Sequence, residues 1–321
     1  MQRLIAIFIA AVLFLAHAAV QAQPYPSKPI RIIVPSAPGG GTDISARLIA
    51  PKLSEYLGQQ VVVENRAGAS MMIGGEAVAR AAPDGYTLLM GISTLTINPS
   101  IQKKMPYDAI RDFAPISLVV TLSNVLASHP ALPIRNLKEL IDFARTRLGQ
   151  LTFGSAGVGS NPHLCMELFL HMSGLRAVHV PYKGSGLALV DLVAGQIALM
   201  MPAVLSGLPH IKAGRLRAYG VTSAQRASGA PDIPTIAEAG VPGYEALQWF
   251  GVLAPAGTPR EIIAKLHAGV VRALHEADVR KRFLEDGSEP VGSSPEEFAA
   301  LIRDDTAKWA KVIKDAGIKP E

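Results

Sequence analysis

Two short stretches combine glycine with hydroxyl side chains in a way that suits binding chemistry. The first is Ala37-Pro38-Gly39-Gly40-Gly41-Thr42-Asp43, two residues after the β-branched run Ile30–Val34. The second is Ser155-Ala156-Gly157-Val158-Gly159-Ser160, after Leu151–Ser155. Glycine lets a backbone turn tightly or approach another molecule closely. A helix that begins just after such a turn presents free N–H groups and the positive end of its dipole. The spot suits a carboxylate or phosphate without any fixed cation. The same glycines are also explained by a tight strand-to-helix turn alone. Ser93 and Thr94, after the run Thr87–Met90, add a third polar turn, and hydroxyls there can donate or accept. His163 follows Ser160 by three residues; it either reaches a ligand or bonds backbone at a helix terminus.

Catalytic patterns are missing from the chain. There is no Gly-x-x-x-x-Gly-Lys-Ser/Thr phosphate loop, no Gly-x-Ser-x-Gly elbow and no His-Glu-x-x-His. Glu64 stands roughly where a dinucleotide site places its ribose carboxylate, but Gly39-Gly40-Gly41 is not Gly-x-Gly-x-x-Gly. Cys165 is the sole cysteine, so neither an internal disulfide nor a paired-cysteine metal site is possible. Its apolar neighbours place it in a core. No catalytic residue, metal or cofactor is expected. Trp249 and Phe250 are expected to pack in a core or wall a pocket.

The elements that must hold these turns alternate. Ile30–Val34, Val61–Val63 and Thr87–Met90 read as strands, with a helix from Thr42 or Asp43 and another over Ile73–Ala82. A second α/β series runs from a helix opened by Asn136 to a strand over Leu216–Thr222. Thr258-Pro259-Arg260-Glu261 and Ser294-Pro295-Glu296-Glu297 both read as capping boxes with proline in the first turn. Such alternation predicts mostly parallel sheets flanked by helices. The β-rich runs Ile116–Leu122 and Leu247–Ala254 are natural crossings between two lobes. Lobe one is then Gln23–Leu122 with Gly251–Glu321, lobe two Ser123–Phe250, and a ligand belongs between them at the carboxyl ends of strands.

The start of the chain has Arg3, an apolar run from Leu4 to Ala16 and the sequence Val20-Gln21-Ala22, the features of a secretory signal peptide cleaved after Ala22. Removing those 22 of 321 residues leaves 299, enough for two domains. No other run is long and apolar enough to span a membrane. The net charge of +5 is scattered, and the densest basic group, Arg280-Lys281-Arg282, is interleaved with acids. That pattern is a solvated helix face and not a nucleic-acid stripe.

The phrases Tyr25-Pro-Ser-Lys-Pro-Ile-Arg, Pro38-Gly-Gly-Gly-Thr-Asp43, Val63-Glu-Asn-Arg66, Pro83-Asp-Gly-Tyr-Thr-Leu-Leu89, Val180-Pro-Tyr-Lys-Gly-Ser-Gly186, Pro234-Thr-Ile-Ala-Glu-Ala-Gly240 and Trp249-Phe-Gly-Val-Leu-Ala-Pro-Ala-Gly-Thr-Pro259 occur in this order across the mature chain. Together they resemble the Bug family, the periplasmic substrate-binding receptors of tripartite tricarboxylate transporters. The resemblance implies a two-lobed type II periplasmic-binding-protein fold, no catalysis, a small carboxylate ligand and membrane transporter subunits as partners. It also implies a monomer that neither binds nucleic acid nor inserts stably in a membrane. The ligand loops map to Ala37, Pro38, Gly39, Gly40 and Thr42, to Ser93 and Thr94, and to Ser155, Gly157, Gly159, Ser160 and His163, with Ala203 and Phe250 completing the pocket. Two departures stand out. Ala198 and Pro202 occupy positions where relatives often carry carboxylates, and Ser70-Met71-Met72 replaces a stretch that is commonly glycine-rich. Both make the surroundings less acidic or more apolar. A secreted α/β enzyme acting on a small anion, and a ligand sensor for a membrane kinase, are the alternative functions.

Overall fold

The apolar runs become two sheets. In the computed structural model, which describes residues 25–285 and 287–319, the chain forms β1 (Ile30–Val34), α1 (Gly41–Leu57), β2 (Val61–Asn65), α2 (Met72–Ala79), β3 (Thr87–Ile92), α3 (Thr94–Ile101), β4 (Phe113–Leu122), β5 (Val125–Ser128), α4 (Leu137–Arg145), β6 (Thr152–Ser155) and α5 (Asn161–Ser173). It continues through β7 (Val178–Pro181), α6 (Ser185–Val193), β8 (Leu199–Met200), α7 (Val204–Lys212), β9 (Arg217–Val221), α8 (Ile236–Ala239), β10 (Gln248–Pro255), α9 (Arg260–His275), α10 (Ala277–Glu285), β11 (Ser288–Pro290) and α11 (Pro295–Asp315). The expected signal peptide lies outside the described residues.

The first sheet has the order β11-β4-β10-β3-β1-β2 and the second β7-β6-β8-β5-β9. β1 lies between β2 and β3, parallel to both, and four of its five residues, Ile30, Ile32, Ile33 and Val34, are buried. The sheets are mixed, where mostly parallel ones were expected. β10 runs antiparallel to β3 and β4, and β5 antiparallel to β8 and β9. The crossings impose this. A strand that enters a lobe from the connection must run against the strands that lead towards it.

Those connections are short and tied together. Asn124 N–H donates to Thr222 Oγ1 and Thr222 N–H to Asn124 O, both at 2.9 Å, while Ala246 N–H reaches Thr222 O at 2.9 Å. Asn161, the first residue of α5, accepts from Asn124 Nδ2 at 2.7 Å and donates to Leu247 O at 3.2 Å. Two expected boundaries shift. β10 begins at Gln248, so Trp249 and Phe250 belong to the first sheet and the division at residue 250 cuts a strand. The C-terminal helix serves both lobes: Phe298 and Ile302 pack with Ile33, Leu89 and Trp249, whereas Trp309, Val312 and Ile313 pack with Leu164, Phe169 and Tyr244.

Candidate functional site

In the first lobe, Ala37–Gly41 is exposed and α1 starts at Gly41 with Gly40 as its cap, without a side-chain capping bond. Thr42 and Asp43, the expected caps, lie inside the first turn instead. The reason is the Asp43 carboxylate, which folds back to accept from Gly39 N–H at 2.8 Å. Buried itself, it is held by Arg47 Nε at 2.9 Å and Asn65 Nδ2 at 2.9 Å. Burial alone would raise its pKa; the hydrogen bonds from Arg47, Gly39 and Asn65 and the Arg47 charge outweigh that and hold it below the usual carboxylate range. Gly39 N–H is therefore taken. The N–H groups of Gly40, Gly41, Thr42 and Asp43 have no acceptor among the described residues. The three glycines do different work. Gly39 takes φ +83, and Gly41 lets the Phe250 ring approach to 3.2 Å of where a Cβ would stand. Gly40 has φ −78 and its nearest atom, Ala37 O, would be 3.7 Å from an added Cβ.

Beside this loop, β3 ends at Ile92. Ser93 N–H donates to Trp249 O at 3.1 Å, and the Ser93 hydroxyl is fully buried with no partner among the described residues. Thr94 opens α3. Ser36, between β1 and the glycine loop, also carries a buried hydroxyl without a partner. In the sequence Ser36 is marked only by its position at a strand's carboxyl end, next to a glycine turn. An unpaired buried hydroxyl costs about 1–3 kcal/mol, which a bound acceptor would relieve. The structure thus assembles Ser36, the Gly40–Asp43 amides, Ser93, Thr94 and Phe250 at one end of the first sheet.

The second lobe is more self-contained. Ser155 Oγ shares a 2.6 Å hydrogen bond with His179 Nε2 and donates to Gly157 O at 3.1 Å. Ser160 Oγ donates to the same carbonyl at 2.6 Å. His163 is buried; its Nδ1 accepts from Gly159 N–H at 3.0 Å and its Nε2 lies 3.5 Å from Glu167 Oε1. Of the two readings of His163, this geometry is the backbone-bonded one, in which the imidazole shapes the turn. Its ring stacks on His179 at 3.8 Å between centroids, and His179 stacks on Phe153 at 4.9 Å. Burial, with His163 adding to it, pushes His179 down to about 4, so the ring stays neutral near pH 7. His179 was not singled out in the sequence, although a histidine between Val178 and Val180 in a strand is an oddity. Gly159 meets the first lobe: a side chain there would collide with Ile101 at the end of α3. Ala203 bridges to Asn124 beside the connection between lobes.

Other candidates have structural roles. Cys165 is fully buried, donates to Asn161 Oδ1, and burial raises its thiol to about 12, far from a reactive thiolate. Ala198 N–H donates to Thr152 Oγ1 at 3.1 Å and the Pro202 carbonyl accepts from Val125 at 2.9 Å. Among the described residues, no group of three or more His, Cys, Asp or Glu could hold a metal ion, and no helix is long and apolar enough to cross a membrane.

Residues 45–318 match the family described as tripartite tricarboxylate transporter family receptor, TctC. The chain belongs to this family. BugT of Bordetella pertussis is 41% identical over 307 residues, which cover 94% of this chain and 93% of BugT. Among solved structures, a Rhodopseudomonas palustris protein with adipate is 39% identical with a TM-score of 0.78, covering 92% of this chain and all of that one. MatC from the same organism, with bound malate, is 33% identical with a TM-score of 0.74, covering 90% of this chain and all of MatC. The TctC members are solute-binding receptors of two lobes, and the fold described above is theirs.

Proposed function

We propose that this chain is a periplasmic receptor that takes a small carboxylate between its lobes, catalyses nothing, and hands the ligand to the membrane subunits of a tripartite tricarboxylate-type transporter. The observation that carries this reading is the first-lobe cluster: four first-turn amides without acceptors beside two buried hydroxyls without partners, at Ser36 and Ser93. Such a set is made for an anion's oxygens. Asp43 and Arg47, in the first turns of the same helix, are paired with each other, so neither is committed to a ligand. The adipate and malate seen in related receptors fit that chemistry, and the N-terminal export signal fits the compartment. The ligand residues are those mapped in sequence, with Ser36 added and with His163 supporting the second turn.

The test is a melting-temperature screen of the purified chain against mono-, di- and tricarboxylates and their uncharged amides. At least one acid is expected to raise the melting temperature while its amide does not, and the acid is recovered chemically unchanged. Indifference to every acid would sink the reading. N-terminal sequencing of the periplasmic fraction is expected to begin at Gln23; intact Met1 in the cytoplasm would contradict the export step.

A further inference from the structure

The link between β2 and α2 is strained next to the cluster just described. Ala69, Ser70 and Met71 take φ of 45°, 51° and 74°, three successive left-handed residues of which none is glycine. L side chains avoid this region because Cβ crowds the following carbonyl. Such a run persists only where its surroundings hold it, and strain of this kind clusters at ligand clamps and other functional sites. Here Asn98 Nδ2 of α3 donates to Ser70 O at 2.8 Å. On the other side Gly74 is pressed against the end of β1, since a Cβ there would lie 2.8 Å from Pro35. Met71 is half-buried and lines a small gap with Pro35, Gly91, Ile92 and Leu95. It therefore sits between the carboxyl ends of β1 and β3, which lead directly into Ser36 and Ser93. Phe250, packed on Gly41, belongs to the same apolar cluster that Met71 packs against.

We infer that Met71 is a specificity-determining residue whose thioether forms the apolar wall for the hydrocarbon body of the bound acid. The inference rests on the carboxylate-receptor reading and narrows it to acids with a chain of several methylenes over short hydroxylated ones. A glycine at φ 74° would adopt this backbone without strain, so the side chain is present at a backbone cost, and it sets an apolar surface beside Ile92 and Phe250 next to the free amides and hydroxyls. Methionine suits the role, being flexible and polarisable enough to follow chains of different length.

The experiment is calorimetry with malonate, succinate, glutarate, adipate and pimelate on the wild-type chain, Met71→Leu and Met71→Gly. Burying a methylene is worth about 0.8 kcal/mol, or roughly a fourfold gain in affinity per added carbon. The wild type and Met71→Leu are expected to show a rise of that size over part of the series. In Met71→Gly the rise flattens to less than about twofold per carbon, while the melting temperature stays level or increases. A wild-type slope kept in Met71→Gly, or no slope in a wild type that binds the acids, overturns the inference and leaves the receptor reading intact. A wild type that binds acids of the broader screen but none of this series likewise overturns the inference alone, whereas failure to bind any acid in either experiment overturns the receptor reading, and the inference falls with it.

Discussion

Gly40 is the residue at which ligand and fold separate most cleanly. Its φ of −78° is open to any residue and a Cβ would meet nothing closer than 3.7 Å, so Gly40→Val is expected to fold, with a stability loss of about 1 kcal/mol because valine is a poorer helix cap than glycine. The branched side chain would stand over the free amides. Losing two charge-assisted hydrogen bonds, each worth ~1.5–3 kcal/mol, weakens binding about a hundredfold or more. Calorimetry with circular dichroism as the folding control checks this; unchanged affinity in a folded variant would remove the loop from the site. Ser93→Ala tests the buried hydroxyl with opposite signs: level or higher stability, because an unpaired group is removed, and affinity lower by about tenfold. His179 gives a pH dependence. Its pKa falls from about 6.5 unfolded to about 4 folded, so the unfolded chain binds more protons between those values and stability falls as pH drops through that window. The ring is only partly buried, so solvent screening keeps the loss below the roughly 3 kcal/mol that a fully buried ring with this shift would give. Urea titrations from pH 7 to 4 should show a shallower loss in His179→Gln, and identical slopes would contradict the assignment. At this scale the sequence shows where glycine and hydroxyl turns follow strands, because those residue types are visible in it. It hid which N–H and O–H groups remain free, because that depends on Asp43, 22 residues away from its partner Asn65.

Between elements, the same motif led to two outcomes. Ser294-Pro295-Glu296-Glu297 forms the capping box expected of it, with Ser294 Oγ accepting from Glu297 N–H at 3.2 Å and Glu297 Oε2 from Ser294 N–H at 2.9 Å. Thr258-Pro259-Arg260-Glu261 does not. Thr258 Oγ1 turns back to Pro255 O at 2.8 Å, and Pro259 becomes the cap of α9. The difference is the incoming chain: Thr258 follows β10 through a tight turn whose carbonyl needs a donor. Glu297→Ala is accordingly expected to cost about 1 kcal/mol and Glu261→Ala about 0.3 kcal/mol. Equal costs in thermal melts would show that both boxes form in solution. The strands were legible because β-branched runs are short and bounded by turn residues. Strand direction was not, since β10 and β4 look alike in sequence whether they run with or against β3. Periodicity likewise showed that α11 has apolar faces at Phe298 and Trp309 but not that the two faces serve different lobes.

For the whole molecule, the lobes are joined at three places and not two, because α11 packs on both lobes alongside the paired links at Asn124 and Leu247. Midway along that helix, buried Asp305 accepts from Trp249 Nε1 of β10 at 2.7 Å and pairs with Lys308 at 2.7 Å. This ties the helix to the first sheet at the strand that enters it from the second lobe. Asp305→Asn keeps the shape but removes the charge opposite Lys308. Since Lys308 is one-third exposed, the cost is well below that of breaking a fully buried pair, about 1–2 kcal/mol. The lobes of the wild type are expected to draw together on ligand, with a smaller radius of gyration in solution scattering at saturation. In Asp305→Asn the helix is less firmly fixed to the first lobe, so the unliganded chain is expected to be wider. Its affinity then falls by the fraction of molecules that have left the binding-competent arrangement, roughly threefold to tenfold, even though Asp305 is not among the ligand residues. Scattering and calorimetry on the same samples decide it. Weaker binding with an unchanged radius would place the effect in the pocket, whereas a ligand that alters neither radius would show a cleft already closed before binding.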